Sequence, residues 1–174
     1  MDKNILMVIP PSNFRDEELL IPKRIFIEKR EKVFIASLVN NRIKGMLGSG
    51  TNVDFTINKI EGNFDAIVFV GGSGIEEHKL YENKEILNLA KAFSYRGKVV
   101  AAICLGTKVL ANADLLKNRK ATTTSSAIEY IKSKGAKYTD NPVIKDLKII
   151  TASGPDAAKE FAETILNSLK DRED

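Results

Sequence analysis

The sequence predicts an α/β fold, with a mostly parallel central sheet sandwiched between layers of helices. Two observations carry that expectation. Short apolar runs alternate with helical patterns along the whole chain, and several of the runs are unbroken rather than alternating, as in strands covered on both faces. No internal repeat, low-complexity segment or Pro/Gly/Ser-rich linker interrupts the series, so the 174 residues are expected to form one domain over residues 1–174.

The elements follow in order. Residues 4–10 (NILMVIP) read as a buried strand. Residues 16–30 carry a mixed helical pattern in which Pro22 is expected to kink the helix or displace its start. Residues 32–38 (KVFIASL) read as a second strand, and residues 42–57 as short strands punctuated by Gly45, Gly48 and Gly50. Residues 64–70 (FDAIVFV) form an apolar strand ending in Gly71-Gly72. Ile86, Leu87, Ala90 and Phe93 mark one helix face. Residues 98–103 (KVVAAI) form another buried strand that runs into Cys104, with a helix over 106–112 beyond it. Residues 121–124 suggest a short strand. A helix over 125–134 has Ser125 or Ser126 as N-cap and Gly135 as its stop, and 147–151 read as a strand. In the last helix Phe161, Ile165 and Leu169 recur every four residues, behind a start marked by Pro155 and Asp156.

Composition narrows the function classes. Hydrophobic residues make up 43% and charged residues 29%, which argues against intrinsic disorder and collagen. No apolar run approaches the length of a membrane span. The 27 basic and 23 acidic residues give a net charge of +4, but the two signs are mixed along the chain and no aromatic-basic RNA-binding motif occurs. A solvated lysine-rich surface is the expectation, with no nucleic-acid partner and no membrane. One cysteine cannot form an internal disulfide, and the N-terminus lacks a signal peptide pattern, so a cytoplasmic protein is expected. One His and one Cys cannot make a zinc set, and Gly71-Gly72-Ser73-Gly74 lacks the lysine and spacing of a phosphate loop. Neither metal nor cofactor is expected.

In parallel sheets, ligands sit beyond the carboxyl ends of the strands. Two such ends draw attention. Cys104 lies between an apolar strand and a helix, the setting of a nucleophile elbow. Amide groups at a helix N-terminus would lower its thiol pKa, whereas a small buried hydrophobe is the commoner fate of a free cysteine. Gly71-Gly72 permits a close backbone approach and supplies N–H donors for an oxyanion, or simply ends a strand. Glu17 and Glu18 cannot serve as a facing carboxylate pair, because adjacent helix positions diverge.

Taken together, Ala101-Ala102-Ile103-Cys104-Leu105-Gly106, the Gly71-Gly72 turn and Glu18 four residues before Pro22 resemble the DJ-1/PfpI (ThiJ/PfpI) superfamily. The resemblance continues through Lys120-Ala121-Thr122-Thr123 and residues 150–155 (ITASGP) into the last helix. It implies a flavodoxin-like three-layer sandwich and a homodimer or larger assembly. It also implies that Cys104 is a nucleophile at a strained elbow, that Glu18 hydrogen-bonds it, and that Gly72 supplies a backbone donor. Gly71 and Leu105 complete the set of backbone groups around the cysteine. Peptidase, glyoxalase, deglycase, redox-sensing and chaperone roles are all known in the family, the redox and chaperone ones in oxidative stress.

The departures matter as much. Leu105 stands where peptidases of the family carry histidine, and Thr124 where another branch does. The single histidine, His78, lies in a polar stretch and reads as a surface residue. Without a Cys–His pair, peptide cleavage is not expected. A protonated Glu18 that donates to Cys104 and then returns as a base suits proton transfer on a small carbonyl adduct. The expectation is therefore an enzyme acting on small reactive carbonyls or their adducts, glyoxalase- or deglycase-like. The alternative is a sensor or chaperone in which an oxidant converts Cys104 to sulfinate without turnover.

Overall fold

The computed structural model describes residues 2–171; residue 1 and residues 172–174, which the single-domain expectation also takes in, lie outside them. The chain forms β1 (Asn4–Val8), α1 (Asp16–Glu28), β2 (Lys32–Ser37), β3 (Ile43–Lys44), β4 (Gly50–Thr51), β5 (Phe55–Thr56) and β6 (Ala66–Phe69). It continues through α2 (Gly74–Glu77), α3 (Lys84–Tyr95), β7 (Val99–Ile103), α4 (Thr107–Asn112), β8 (Lys120–Ala121), α5 (Ile128–Ser133), β9 (Lys137–Tyr138), β10 (Val143–Asp146), β11 (Ile149–Ala152) and α6 (Ala158–Lys170).

The seven-stranded sheet has the order β10-β11-β7-β6-β1-β2-β5, parallel throughout except for the β10 edge. Successive side chains point to opposite faces of a strand, and here both faces are apolar. Ile5 and Met7 of β1, with Ala101 and Ile103 of β7, pack under α1 and α6 against Phe26, Phe161 and Ile165. Leu6 and Val8, with Val100 and Ala102, face the layer of α3 and α4 through Ile86, Phe93 and Leu110. That is why these strands read as continuous apolar runs. From β1 the chain builds outward through β2 to β5 on one side and through β6, β7 and β11 on the other. The reversal leaves a crevice beyond the carboxyl ends of β1 and β6, the place where open α/β sheets bind ligands.

Several elements differ from the sequence reading. Helix α1 runs through Pro22 instead of starting at it. The ring removes one N–H, so the carbonyl of Glu18 forgoes its i+4 donor, and the packing of Leu19 and Phe26 outweighs that loss. Residues 122–124 are not strand; only Lys120–Ala121 pairs, with Lys137–Tyr138, outside the main sheet. Ser125 and Ser126 make no side-chain cap and lie in a 3-10 turn before α5, whose N-cap is Ala127. Pro155 and Asp156 likewise occupy a 3-10 turn ahead of α6. The strand at 147–151 begins at Ile149, because Leu147 takes a left-handed conformation in a hairpin with β10.

The two-faced core sets the cost of core truncation. Phe161→Ala removes a fully buried ring from the α6 contact with the sheet and should destabilise by about 3–5 kcal/mol. Tyr95→Ala, at a side chain 94% exposed, should change stability by less than about 0.5 kcal/mol. Urea midpoints of the two variants check both figures.

Candidate active site

Three chain segments converge in the crevice. The first is the start of α1. The loop after β1 carries residues 13–15 past the end of β6, where the Arg15 amide donates to the Gly71 carbonyl at 2.9 Å. Glu18 lies in the first turn of the helix that follows and is fully buried.

The second segment is the Gly71-Gly72 turn. The Gly71 amide donates to Glu18 Oε1 at 2.9 Å. A Cβ on Gly71 would lie 2.4 Å from that oxygen and 3.0 Å from Cys104 Cβ, so acid, turn and cysteine meet at one residue. Gly72 has φ +120° and a Cβ there would fall 2.4 Å from Arg15 N and Asn13 O. Only glycine fits both the conformation and the space. Among the described residues the Gly72 amide donates to no protein acceptor.

The third segment is the end of β7. Cys104 has φ +56°, in the left-handed region that a residue with a Cβ rarely occupies. It opens a 3-10 turn, Cys104–Gly106, that leads into α4. Gly106 lies against the end of β6, where a Cβ would come 2.5 Å from the Phe69 carbonyl. The elbow is therefore strained and docked by close backbone packing. The Leu105 amide and the Thr124 side chain lie near the sulfur and pull its thiol pKa down. The Cys104 carbonyl accepts from Thr107 Oγ1 at 2.8 Å and from Thr123 Oγ1 at 3.2 Å.

The electrostatics of the pair differ from the sequence expectation in one respect. Burial pushes the Glu18 carboxyl up to about 8, against the opposing pull of the Gly71 amide, the Cys104 thiol and Arg15. Its Oε2 is buried without a well-formed hydrogen bond. The thiol was expected to be lowered by a helix N-terminus. Instead, burial, followed by the Glu18 charge, pushes it up to about 12, and the Leu105 amide and Thr124 only partly oppose this. The helix that follows is six residues long, begins a turn later than the sulfur, and carries little dipole. At neutral pH the resting pair is thus a largely protonated carboxyl beside a neutral thiol.

Of the residues singled out from sequence, Glu18, Gly71, Gly72, Cys104 and Leu105 come together. The Gly71 amide is engaged by Glu18, which leaves Gly72 and Leu105 as the backbone groups open to an oxyanion. His78 is exposed, bonded through Nε2 to Ser12 Oγ at 2.7 Å. Thr107, Thr123 and Thr124 were missed as site residues. Their signal was weak: one hydroxyl a helical turn past the cysteine and two in a run of threonines. Among the described residues no group of three or more His, Cys, Asp or Glu is arranged to hold a metal ion. No helix there is long and apolar enough to cross a membrane. A cleft of about 710 Å³ beyond β2 and β5 is lined by Asn40, Asp54 and Asn58 among others and shares no residue with this site.

The comparisons with known proteins agree with this geometry. The sequence model of the DJ-1/PfpI family matches residues 3–168. The chain is 41% identical over 169 residues to an uncharacterized protein of Methanocaldococcus jannaschii, covering 95% of this chain and 82% of that one. It is 30% identical over 166 residues to the deglycase PfpI of Pyrococcus furiosus, covering 95% and 99%. A ThiJ/PfpI domain protein from Brachyspira murdochii has a structure with TM-score 0.94 and 32% identity over 99% of both chains. With Glu18, the glycine turn and the cysteine elbow in one crevice, and with these matches over nearly its full length, the chain belongs to the DJ-1/PfpI family.

Proposed function

We propose that the protein is a cysteine enzyme acting on small reactive carbonyls or their adducts with thiols or amines, of the glyoxalase or deglycase type. The observation that carries this reading is the buried Glu18–Cys104 pair at the strained strand end. It is supported by the deglycase names of relatives in Pyrococcus furiosus and Thermococcus kodakarensis, at 30% and 31% identity.

With methylglyoxal as the simplest substrate, the fraction of enzyme with Glu18 ionised reacts: the Cys104 sulfur bonds to the aldehyde carbon while the thiol proton passes to the Glu18 carboxylate. The carbonyl oxygen takes up negative charge beside the Gly72 and Leu105 amides. Glu18 returns its proton to that oxygen, giving a neutral hemithioacetal. It then removes the hydrogen on the former aldehyde carbon and delivers the proton to the neighbouring ketone carbon, while the hydroxyl proton of the first carbon passes by way of the same carboxyl to the ketone oxygen. The first carbon is thereby oxidised to a thioester and the second reduced to an alcohol. Water cleaves the thioester, so methylglyoxal plus water gives lactate and a free thiol. One carboxyl serves every proton transfer, which suits a site without a nearby histidine. Oxidation of Cys104 without turnover fits less well, because peroxide attacks the thiolate and the resting thiol is held neutral.

The pH dependence follows from the pair as a unit. The reactive form holds one proton between carboxyl and thiol, and its population does not depend on which atom carries it. The first proton leaves near pH 8, set by Glu18. Methylglyoxal turnover should therefore rise about tenfold per pH unit below that value and level off above it. Initial rates across the range check this, and a flat or falling profile contradicts it. Glu18→Gln keeps the shape but cannot act as a base, so its turnover should fall at least about 100-fold with the circular dichroism spectrum unchanged.

The same group links stability to pH. Glu18 is raised from 4.5 to about 8 on folding, so the folded state binds a proton that the unfolded chain has lost. The associated stability is fully present below about pH 4.5 and is lost as pH rises through 8, up to about 5 kcal/mol in all. Denaturant melts at acid and alkaline pH should show that loss in wild type and not in Glu18→Gln. Parallel pH dependence in the two proteins would place the Glu18 carboxyl in water.

A further inference from the structure

A separate cavity lies at the opposite end of the sheet from Cys104. Strands β6 and β7 run parallel, with Gly71 and Cys104 beyond their carboxyl ends, so Phe64 and Lys98, which precede them, mark the other edge. There the loop ahead of β6 and the end of α3 enclose about 240 Å³. The cavity shares no residue with the cysteine site. Ile60, Phe64, Leu89 and Phe93 give it an apolar wall. The rings of Phe64 and Phe93 lie 6.5 Å apart between centroids, and each residue is 7% exposed, so only ring edges reach the cavity.

Arg96 and Lys98 stand at the edge of that wall. Among the described residues no acidic side chain lines the cavity, and neither cation has an ion-pair partner. Asp65 lines a neighbouring cleft that Lys98 also borders, and its Oδ2 accepts from the Asn4 amide at 2.9 Å. Basic residues past a helix end often meet its last carbonyls, but neither side chain bonds one here. The end of α3 adds about half a negative charge, less than the two cations supply. An apolar wall edged by charge of one sign matches a molecule with an apolar body and the opposite charge. The volume is below the roughly 300 Å³ at which pockets for drug-sized ligands begin, and suits a single ring. We propose that this cavity is a binding site for a small aromatic carboxylate. The ring packs edge-on against Phe64 and Phe93 beside Leu89, and the carboxylate meets the planar fork of Arg96 with Lys98 alongside. The site is independent of the reading of Cys104.

Benzoate is the probe, with benzyl alcohol as the ring without the charge and acetate as the charge without the ring. Titrations followed by two-dimensional amide NMR spectra locate the ligand and give its affinity. Benzoate should shift residues 60–64 and 89–98 saturably and leave Gly72 and Leu105 unmoved. Benzyl alcohol and acetate should each bind at least about fivefold more weakly. Arg96→Gln/Lys98→Gln should weaken benzoate by about fivefold or more and leave benzyl alcohol unchanged. Leu89→Trp fills the cavity and should abolish the benzoate shifts. The proposal is overturned if benzoate does not saturate, if its shifts centre on Gly72 and Leu105, or if benzyl alcohol binds as tightly. A double glutamine variant that binds benzoate like wild type overturns it as well. Arg96 is exposed and Lys98 half-buried, so that variant decides the matter even if Leu89→Trp does not fold.

Discussion

The bond from the Gly71 amide to Glu18 Oε1 is the contact on which the site is built. It ties the end of β6 to the first turn of α1 and does so beside Cys104 Cβ, leaving no room for a side chain at Gly71. A carboxyl brought to this depth loses its water. One amide at one oxygen is too little to keep it ionised, and the second oxygen has no settled partner. The raised pKa of Glu18 is therefore a consequence of how the strand ends are packed together. It makes the carboxyl a proton carrier near neutrality, where an exposed glutamate would be a spent base.

Much of the fold was legible because the sheet is covered on both faces. A strand such as β7, buried along its whole length, can only be written as an apolar run, and the helices betray themselves by the spacing of Ile86, Ala90 and Phe93 or of Phe161 and Ile165. The misreadings cluster where local chemistry yields to tertiary contact. Ser125 has a good capping side chain but sits in a 3-10 turn that does not use it. Pro22 should break a helix, but it lies in a segment whose Leu19 and Phe26 are anchored in the core. Thr122–Thr124 has strand-like composition, yet the chain there leaves the short β8 pairing and two of its hydroxyls turn to Cys104.

The site was legible in its parts and not in its charges. Glu18, the glycine turn and Cys104 could be set side by side through family resemblance, because each marks the end of a separate strand or the start of a helix. The direction of the thiol pKa could not. A strand-to-helix junction suggests a dipole, but the dipole acts only if the helix is long and its first turn faces the sulfur. Here a 3-10 turn intervenes, and burial and the neighbouring carboxylate outweigh the two donors that favour the thiolate.

These charges bear on the absence of histidine beside Cys104. Imidazole is a useful base because its ordinary pKa lies close to neutral pH. Burial moves Glu18 from 4.5 to about 8, on the other side of neutrality from a typical histidine but within reach of it. A neutral acid can surrender its proton to an alkoxide and recover one from carbon without ever placing two anions side by side, so the low-dielectric site is never asked to hold a pair of charges. Amide cleavage asks for more, since a poor amine leaving group must be protonated as it departs while the sulfur stays acylated. The hydroxyl of Thr124 and the side chain of Leu105 offer no group of suitable acidity for that step. The proposed hemithioacetal pathway calls on neither residue, because every proton it moves would pass through Glu18.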